Sequence, residues 1–510
     1  MRVKIEANRW ILTALLITMM LAALSSNGSA QKYLPSEDYV KEIAMPEPMK
    51  LEWKVAQPFK ITATTVIALP VSSSQEERDI AASAKRALSN IFGINLEIMV
   101  TELIPEQNAI VVGLTKNTPA LKNLVPSSSI DTVGSFPDQS YAISVNSRRV
   151  CLVAREIPGF RYGFQTLLQL VSMEIFAAVY VIPSIEIADF PAFEIRALLI
   201  PLRDYRSVSQ IQDTRRIIDI AEILHMNTVF IQVDNLINYD SVKGIAKAGA
   251  LDKDSLRAIV KYARDAGLEV IPLINTFSHQ DVLLCPVYPN LCLDKSTYDP
   301  SNPRTYAMLF SIMDEVIEIF EPKYMHVGHD EIRALSGFPR EKAAELFLAD
   351  IRKIHEHLSK KNVGMMMWAG MLLSSTQFPG QDNCNGLLGN AYALIDSLPK
   401  DIVLVDAHYR QRKPDFPTVD YLLSKGFHVL GCVYSDPRVN SDFTKYVAGK
   451  HDGFMGMSVA LWGCYHYNGL APLRKTLLET TEVFWRGGIP PEDPKGEKVP
   501  QNIKDHGYFR

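Results

Sequence analysis

The chain has 510 residues, 47% of them hydrophobic and 22% charged, which is enough for two or three domains of ordinary globular composition. Its formal net charge is −4 at pH 7, and no basic face is evident, which argues against nucleic acid as a partner. We therefore expect the partner to be a neutral or polar small molecule.

The first 30 residues have the three-part pattern of a secretory signal peptide. Arg2, Lys4 and Arg9 form a basic region, residues 10–24 are apolar, and small residues lead to a predicted cleavage site after Ala30. The apolar run is short for a membrane span, although an uncleaved anchor is the alternative. No later segment is long and apolar enough to span a bilayer. The mature protein is therefore expected to be secreted or periplasmic.

The six cysteines do not follow a metal-binding spacing. Cys285 and Cys292 bracket a short loop and form the one plausible local disulfide in an exported chain. The other four are scattered, and we expect them to be small buried hydrophobic residues: Cys151, Cys384, Cys432 and Cys464. The sequence therefore predicts no metal and no cofactor.

Residues 31–188 are predicted to form one accessory α/β domain. The pattern predicts strands over residues 61–69 and 109–112, a strand pair over 141–145 and 150–154, and helices over 76–91 and 160–171. We find no catalytic constellation in this part of the chain.

From residue 189 the pattern changes to short apolar runs that alternate with amphipathic helices. Eight strands are predicted, beginning near Ile195, Thr228, Leu268, Tyr324, Gly364, Ile402, His428 and Phe454. Eight β/α units over roughly 300 residues predict a (β/α)8 TIM barrel over residues 189–488, followed by a C-terminal tail at 489–510. An open doubly wound sheet is the structural alternative, but no Gly-rich phosphate loop follows any strand.

The fourth predicted strand ends in two adjacent carboxylates, Asp330 and Glu331, next to His326, Gly328 and His329. A buried parallel strand that delivers acid–base groups to a pocket ends in this way. The alternative is that the two acidic residues begin a helix and are stabilised by its dipole. The position within a strand–helix array favours the pocket.

Because active sites of such barrels lie at the C-terminal ends of the strands, the residues at those ends are candidates for the site. In chain order they are Arg196, Asp234, Asn275, His279, His326, Asp330, Glu331, Trp368, Asp406, His408, Tyr409, Tyr434 and Trp462. Carboxylates, histidines and aromatic faces at one rim suit a sugar ring. The histidines are also possible metal ligands, but their spacing does not repeat, and His326 and His329 should point to different faces.

These residues resemble glycoside hydrolase family 20, the β-N-acetylhexosaminidases. His326-Val327-Gly328-His329-Asp330-Glu331 is similar to the family's His-x-Gly-x-Asp-Glu signature, and residues 159–170 are similar to the last helix of its accessory domain. The resemblance implies that Glu331 is the general acid/base. It implies that Asp330 orients the substrate's acetamido group, which attacks the anomeric carbon in place of a protein nucleophile.

The resemblance also implies a set of substrate-binding residues. Arg196 would hold the outer hydroxyls, Trp368 and Trp462 would wall the pocket, and Tyr434 would hydrogen-bond the acetamido oxygen. We add His279 and His326 to this set. Arg196 lies early in its strand, so a structural ion pair in the barrel floor is the alternative for that residue.

The chain departs from the family pattern at several positions. The third strand continues Pro272-Leu273-Ile274-Asn275 and ends Ser278-His279, which is closer to a divergent hexosaminidase D-like branch. Gly370 stands where the family often has Asp, and Ala407 where it often has Trp. We therefore expect a more open pocket or a different sugar preference.

The resemblance predicts an exo-acting, retaining β-N-acetylhexosaminidase with a glycan or small glycoside as substrate. One alternative is a non-catalytic glycan-binding protein on a degenerate barrel. Another is a glycosidase in which Asp234 or Asp406 partners Glu331 on a sugar without an acetamido group. The sequence does not define the gluco or galacto preference, the aglycone or the oligomeric state.

Overall fold

The computed structural model describes residues 40–41, 43–126, 136–174, 178–202, 209–463 and 471–489. The predicted signal peptide, Cys464 and nearly all of the predicted C-terminal tail lie outside these ranges. None of the helices within them combines the length and the apolar character that a bilayer crossing needs.

The N-terminal part forms a mixed seven-stranded sheet and a small three-stranded sheet, with two long helices. The strands are β1 (Lys50–Trp53), β2 (Phe59–Lys60), β3 (Val66–Pro70), β4 (Glu97–Thr101), β5 (Ala109–Leu114), β6 (Tyr141–Val145), β7 (Arg149–Ala154), β8 (Ser172–Glu174), β9 (Val179–Ile182) and β10 (Ile185–Asp189). The helices are α1 (Gln75–Phe92) and α2 (Ile157–Leu170). The large sheet has the order β1-β10-β6-β7-β5-β3-β4, and the small one the order β2-β9-β8. A smaller α/β domain before the barrel was predicted, and the structure confirms it.

Local sequence explains where α1 begins and why β3 begins later than predicted. The Ser74 side chain caps α1 by accepting a hydrogen bond from the backbone N–H of Glu77, and the Glu77 carboxylate accepts one from the backbone N–H of Ser74, so both otherwise unpaired N–H groups are satisfied. The strand predicted over residues 61–69 begins only at Val66. Thr65 hydrogen-bonds both ways with Thr62 and closes a turn before it.

The second part is a closed barrel of eight parallel strands, so the open-sheet alternative is wrong. The strands are β11 (Ile195–Pro201), β12 (Thr228–Gln232), β13 (Glu269–Thr276), β14 (Tyr324–Gly328), β15 (Gly364–Trp368), β16 (Val403–Ala407), β17 (His428–Val433) and β18 (Phe454–Ala460). Each begins within one residue of its predicted start. Buried parallel strands are apolar on both faces, and their sequences therefore stand out as short apolar runs.

A helix follows each barrel strand except β15, whose connection to β16 contains only the short 3-10 turns Gly370–Leu372, Gly386–Leu388 and Ala391–Ser397, so one of the eight predicted β/α units lacks its helix. The helices are α3 (Ser209–Ile223), α4 (Lys253–Asp265), α5 (Pro303–Phe320), α6 (Arg340–Lys360), α7 (Pro417–Ser424), α8 (Pro437–Val447) and α9 (Ala471–Trp485). In α4 the buried residues are Leu256, Ile259, Val260 and Ala263, which is the i, i+3, i+4, i+7 stripe of a helix with one apolar face.

The strands separate two hydrophobic cores. In β11, for example, Ala197 and Leu199 face the barrel interior, and Leu198 and Ile200 face the surrounding helices. Because all eight strands are parallel and in one barrel, their C-terminal ends share one rim. The loop after β13 at that rim is closed by the predicted Cys285–Cys292 disulfide, with the two Cα atoms 5.8 Å apart.

Candidate active site

The turn after β14 carries the acidic pair in a strained backbone. Gly328, His329 and Glu331 have φ angles of 73°, 67° and 46°, which lie in the left-handed region. For residues other than glycine this region is uncommon, and strain of this kind concentrates at functional sites. Residues 329–332 are not helical, so the alternative that Asp330 and Glu331 begin a helix is wrong.

Asp330 presents one paired and one unpaired carboxylate oxygen. Oδ2 lies 3.4 Å from Nε2 of His279, and Oδ1 is enclosed without a hydrogen-bond partner among the described residues. Burial acts to raise the pKa of Asp330, but the hydrogen bond and the charge of His279 outweigh it and hold that pKa below its usual value. Asp330 is therefore a carboxylate at neutral pH, and its Oδ1 is a buried acceptor that lacks a donor among the described residues.

Glu331 lies beside Asp330 and is more accessible. Its side chain is 48% exposed, compared with 29% for Asp330, and Arg333 approaches its Oε2 at 3.8 Å. A carboxyl group in this position can exchange a proton with a bound ligand or with water. The structure thus places an enclosed carboxylate and an open one on adjacent residues of one turn.

His326 lies inside the barrel below the acidic pair. Its Nδ1 accepts a hydrogen bond from the backbone N–H of Gly328 at 3.1 Å, which leaves the proton on Nε2. Burial lowers the pKa of His326 to about 3, although the charge of Asp330 opposes this shift. The ring is neutral and lies 4.7 Å from the Trp368 ring, so it is part of the pocket floor.

An aromatic wall stands across the rim. The rings of Trp368 and Trp462 are 6.3 Å apart, and the indole N–H of Trp462 donates to the Tyr409 hydroxyl at 3.1 Å. The Tyr434 hydroxyl donates to the carbonyl of Trp462 at 2.7 Å, and its ring is 5.7 Å from that of Tyr409. The structure therefore brings together the three predicted aromatic residues.

Tyr409, at the end of the sixth strand, joins this wall although the predicted set of site residues does not include it. Burial raises its pKa well above the usual value, and the charge of Asp330 adds to that shift, so its hydroxyl stays neutral. The sequence signal was its place two residues after Ala407, where the inward–outward alternation of β16 returns to the barrel interior.

A loop after β15 occupies the space that a side chain at residue 370 would use and also contacts the backbone of Ala407. The carbonyl oxygen of Asn383 lies 2.6 Å from the position of a Cβ atom on Gly370, and the Asn383 side chain donates to the carbonyl of Ala407 at 2.7 Å. The neighbouring Asp382 accepts from the backbone N–H of Tyr409 at 2.7 Å. At Gly370 the missing side chain therefore leaves no open space, because the loop lies against it, while a different sugar preference stays a prediction.

Arg196 is not at the rim, and the prediction that it holds substrate hydroxyls is corrected. It is the second residue of β11 and therefore lies at the N-terminal end of the barrel, with 1% exposure. Its guanidinium donates to His225 O, Phe193 O, Gln139 Oε1 and Tyr162 Oη, and it lies 4.9 Å from the Trp485 ring. It joins the accessory domain to the barrel floor, which is close to the structural alternative.

The two carboxylates considered as alternative nucleophiles are occupied within the protein. Asp234 is fully buried and accepts hydrogen bonds from the backbone and side chain of Asn275. Asp406 is buried and accepts from Thr418 at 2.7 Å. Both side chains are thus held by neighbours inside the barrel, and neither contact favours a two-carboxylate mechanism through these candidates.

The histidines considered as metal ligands do not converge. His279 contacts Asp330, His326 lies in the pocket floor, and His329 lies 2.8 Å from Asp350 on the other side of β14. Within the described ranges no group of three His, Cys, Asp or Glu side chains is arranged to hold a metal ion.

A (β/α)8 barrel with an acidic turn and an aromatic wall at its C-terminal rim is an architecture suited to acid–base chemistry on a sugar. The sequence model described as "Glycosyl hydrolase family 20, catalytic domain" matches residues 237–465, and the one described as "Glycosyl hydrolase family 20, domain 2" matches residues 43–190. The chain belongs to glycoside hydrolase family 20.

Individual relatives are distant. The chain is 23% identical over 503 residues to a β-hexosaminidase of Porphyromonas gingivalis, and the match covers 88% of this chain and 60% of that one. It is 29% identical over 227 residues to a β-hexosaminidase β subunit of Sus scrofa, which covers 40% of this chain and 42% of that one. The chain thus spans less than two thirds of these relatives.

Solved structures of this family have the same fold. The β-N-acetylhexosaminidase of Bacteroides fragilis matches with a TM-score of 0.64 and 19% identity, covering 88% of this chain and 92% of that one. The N-acetyl-β-hexosaminidase of Streptomyces plicatus matches with a TM-score of 0.66 and 16% identity, covering 89% and 91%. At this identity the likeness concerns the fold. The relation to a hexosaminidase D-like branch stays a prediction.

Proposed function

We propose that the protein is an exo-acting, retaining β-N-acetylhexosaminidase that uses the substrate's acetamido group as nucleophile. The observation that carries the proposal is the enclosed, unpaired Oδ1 of an anionic Asp330 next to an accessible Glu331. A buried acceptor without a donor is costly, and a ligand N–H would remove that cost once a rotation of the 29% exposed Asp330 side chain uncovers Oδ1. An acetamido N–H is such a donor, and family membership together with the names of the relatives supports this substrate class.

In the proposed reaction, the acetamido oxygen attacks the anomeric carbon while the bond from that carbon to the leaving oxygen breaks. Glu331 gives its proton to the leaving oxygen. Asp330 accepts a hydrogen bond from the acetamido N–H as positive charge develops on the nitrogen. Water then adds to the anomeric carbon, the oxazoline ring opens, and Glu331 takes the water's proton. Two displacements at one carbon retain the β configuration.

The binding roles follow from position. Trp368, Trp462 and Tyr409 present ring faces and edges to the C–H surface of a sugar, while His279 holds the Asp330 carboxylate. In this structure the Tyr434 hydroxyl donates to Trp462 O. Its role toward the acetamido oxygen therefore requires that hydrogen bond to be exchanged for one to the substrate.

The test uses aryl β-glycosides of N-acetylglucosamine, N-acetylgalactosamine and glucose with the purified protein. We expect turnover of at least one N-acetyl sugar, release of the β anomer first, and no turnover of the glucoside, which lacks the nucleophile. Equal rates on the glucoside would contradict the acetamido mechanism. Binding of the N-acetyl sugars without turnover would support the glycan-binding alternative.

We also propose that the protein is exported to the periplasm or outside the cell. The support is the basic, apolar and small-residue order of residues 1–30. A disulfide between Cys285 and Cys292 is consistent with an oxidising compartment. N-terminal sequencing of the protein from its native host should begin at Gln31, and a sequence that begins at Met1 would refute cleavage.

A further inference from the structure

The residue before the acidic pair, His329, is fully buried and points away from the pocket. Its ring lies between those of Phe277 and Phe347, with centroids 5.9 and 5.6 Å away. Its Nδ1 is 2.7 Å from the hydroxyl of Thr276, and that hydroxyl donates its own proton to the carbonyl of Val327 at 2.6 Å. The proton in the first contact must therefore come from Nδ1 of His329.

The other ring nitrogen of His329 faces a carboxylate on α6. Nε2 lies 2.8 Å from Oδ2 of Asp350, a bent contact at ion-pair distance that does not meet hydrogen-bond geometry. Asp350 is itself fully buried and accepts hydrogen bonds from the hydroxyls of Tyr298 at 3.0 Å and Tyr306 at 2.5 Å. Asp350 thus connects the catalytic turn to α5, to α6 and to the loop before α5.

This cluster is attached to a strained part of the barrel rim. The left-handed backbone of Gly328, His329 and Glu331 persists only if the surrounding contacts fix it. His329 is the residue of that turn whose side chain reaches into the packed layer between barrel and helices. Asp330 follows His329 in the chain, so the backbone conformation of His329 sets the direction of the Asp330 side chain.

We infer that His329 and Asp350 are positioning residues that hold the turn so that Asp330 and Glu331 keep their reactive geometry. This inference rests on the proposed function for its kinetic consequence, but its structural content is independent of the substrate. A misplacement of about 1 Å at a reacting group can lower a rate on the order of 100-fold. Loss of either partner should therefore reduce catalysis more than substrate binding.

The variants are His329→Gln and Asp350→Asn, which keep polarity and approximate size. The matched control is His357→Gln, because His357 also pairs α6 with a carboxylate, Asp314 on α5, at 2.8 Å, and stacks on Phe310. We expect kcat on a disaccharide substrate to fall roughly 10- to 100-fold in both variants. KM should change less than 3-fold, and the control should stay within 2-fold of wild type.

A double-variant cycle separates positioning from plain stability. If His329 acts through Asp330, then His329→Gln should lower kcat by a smaller factor in the Asp330→Asn background than in the wild type. In that background the Asp330 carboxylate, whose position His329 holds, is already absent. Effects on kcat that multiply fully would overturn the inference. Folded single variants with wild-type kcat would overturn it as well.

A readout without substrate distinguishes this inference from the proposed function. We expect amide hydrogen exchange over residues 326–333 to accelerate at least 10-fold in His329→Gln and Asp350→Asn but not in His357→Gln. If wild type turns over no N-acetylhexosaminide, the proposed function fails, while the exchange measurement still tests whether His329 and Asp350 hold the turn. Unchanged exchange would refute that role. If both variants fail to fold, Tyr306→Phe, which removes one hydrogen bond to Asp350, takes their place in both measurements.

Discussion

The carbonyl oxygen of Asn383 lies 2.6 Å from the position that a Cβ atom on Gly370 would take. A Cβ atom does not tolerate a backbone oxygen at that distance, so residue 370 is a glycine because the loop bearing Asn383 lies against it. The family's Asp at this position and this loop are mutually exclusive. Gly370 is therefore one half of a rearranged rim rather than a missing functional group.

Gly370→Asp should consequently lower activity instead of restoring a family feature. The new side chain must displace the loop that supports Tyr409, and overpacking of this kind costs about 1–3 kcal/mol of folding free energy. We expect a lower Tm and at least a 10-fold loss in kcat/KM. Gly337→Ala is the control, since a Cβ there has no neighbour within 4 Å and should leave both quantities unchanged. Higher kcat/KM in Gly370→Asp would refute this account of the loop.

Glu331→Gln should lower kcat by about 100-fold or more on substrates with poor leaving groups, because general acid catalysis contributes typically 10²–10⁴-fold. The loss should shrink for an activated aryl leaving group, which needs less protonation. The measurement is kcat on a disaccharide and on a nitrophenyl glycoside, with the exposed helix residue Glu345→Gln as control. Equal losses on both substrates would argue against Glu331 as the acid.

Arg196→Ala should destabilise the fold while leaving the chemistry of the folded enzyme intact. It removes the donors that satisfy His225 O, Phe193 O and Tyr162 at the domain junction. Hydrogen bonds to a charged group contribute about 1.5–3 kcal/mol each, so we expect the free energy of unfolding to fall by at least about 2 kcal/mol. Denaturant unfolding and steady-state kinetics together check this. A KM that rises more than 10-fold with little loss of stability would restore the substrate-binding prediction.

The barrel strands are the part of the fold that short stretches of sequence specify. The starts of all eight barrel strands follow from apolar runs, because each strand is buried on both faces. The side of Arg196 was also available from the period of two, since Arg196 shares its face with the outward Leu198 and Ile200. The likeness to the family motif outweighed that signal.

The contacts that the sequence did not reveal are those between segments far apart in the chain. Asn383 meets Gly370 and Ala407 through an irregular loop, and no periodicity specifies where such a loop lies. His329 and Asp350 are brought together by a strand end and a helix, and each alone is an ordinary polar residue in an apolar run. The contacts that hold the acidic turn and the rim loop could therefore not be predicted from the sequence.

The pH dependence of stability should carry the signature of His408. Burial acts to lower its pKa, but the carboxylates of Asp406 and Asp382 outweigh burial and raise the pKa to about 9. A folded pKa above the unfolded value of about 6.5 means that the contribution is complete below pH 6.5 and is lost as pH rises through 9. Tm should therefore decline between pH 7 and pH 9.5.

The control for this prediction is His408→Gln, which keeps a polar side chain but does not titrate. Its Tm should be lower at pH 6 and should vary less between pH 7 and pH 9.5 than that of the wild type. Asp382 also accepts from the backbone of Tyr409 and Arg410, so loss of the charged pair should loosen the rim loop. Parallel Tm curves for the two proteins would show that another group is responsible.

A thiazoline derived from N-acetylglucosamine should bind far more tightly than the free sugar. Its fused ring copies the oxazoline intermediate, with sulfur in place of the attacking acetamido oxygen, and sites complementary to a reacting state hold such mimics 10²–10⁸-fold better than substrate. Asp330→Asn should weaken this binding, because it removes the negative charge that faces the ring nitrogen and replaces the unpaired acceptor Oδ1 by a group that can donate. Ser278→Ala is the control, since its hydroxyl donates to the backbone carbonyl of Asp330 and its removal keeps the carboxylate's charge. Inhibition constants and calorimetry on the three proteins test the prediction. If the thiazoline binds no better than N-acetylglucosamine while wild type turns over, the acetamido group is not the nucleophile, and a second protein carboxylate would have to act with Glu331.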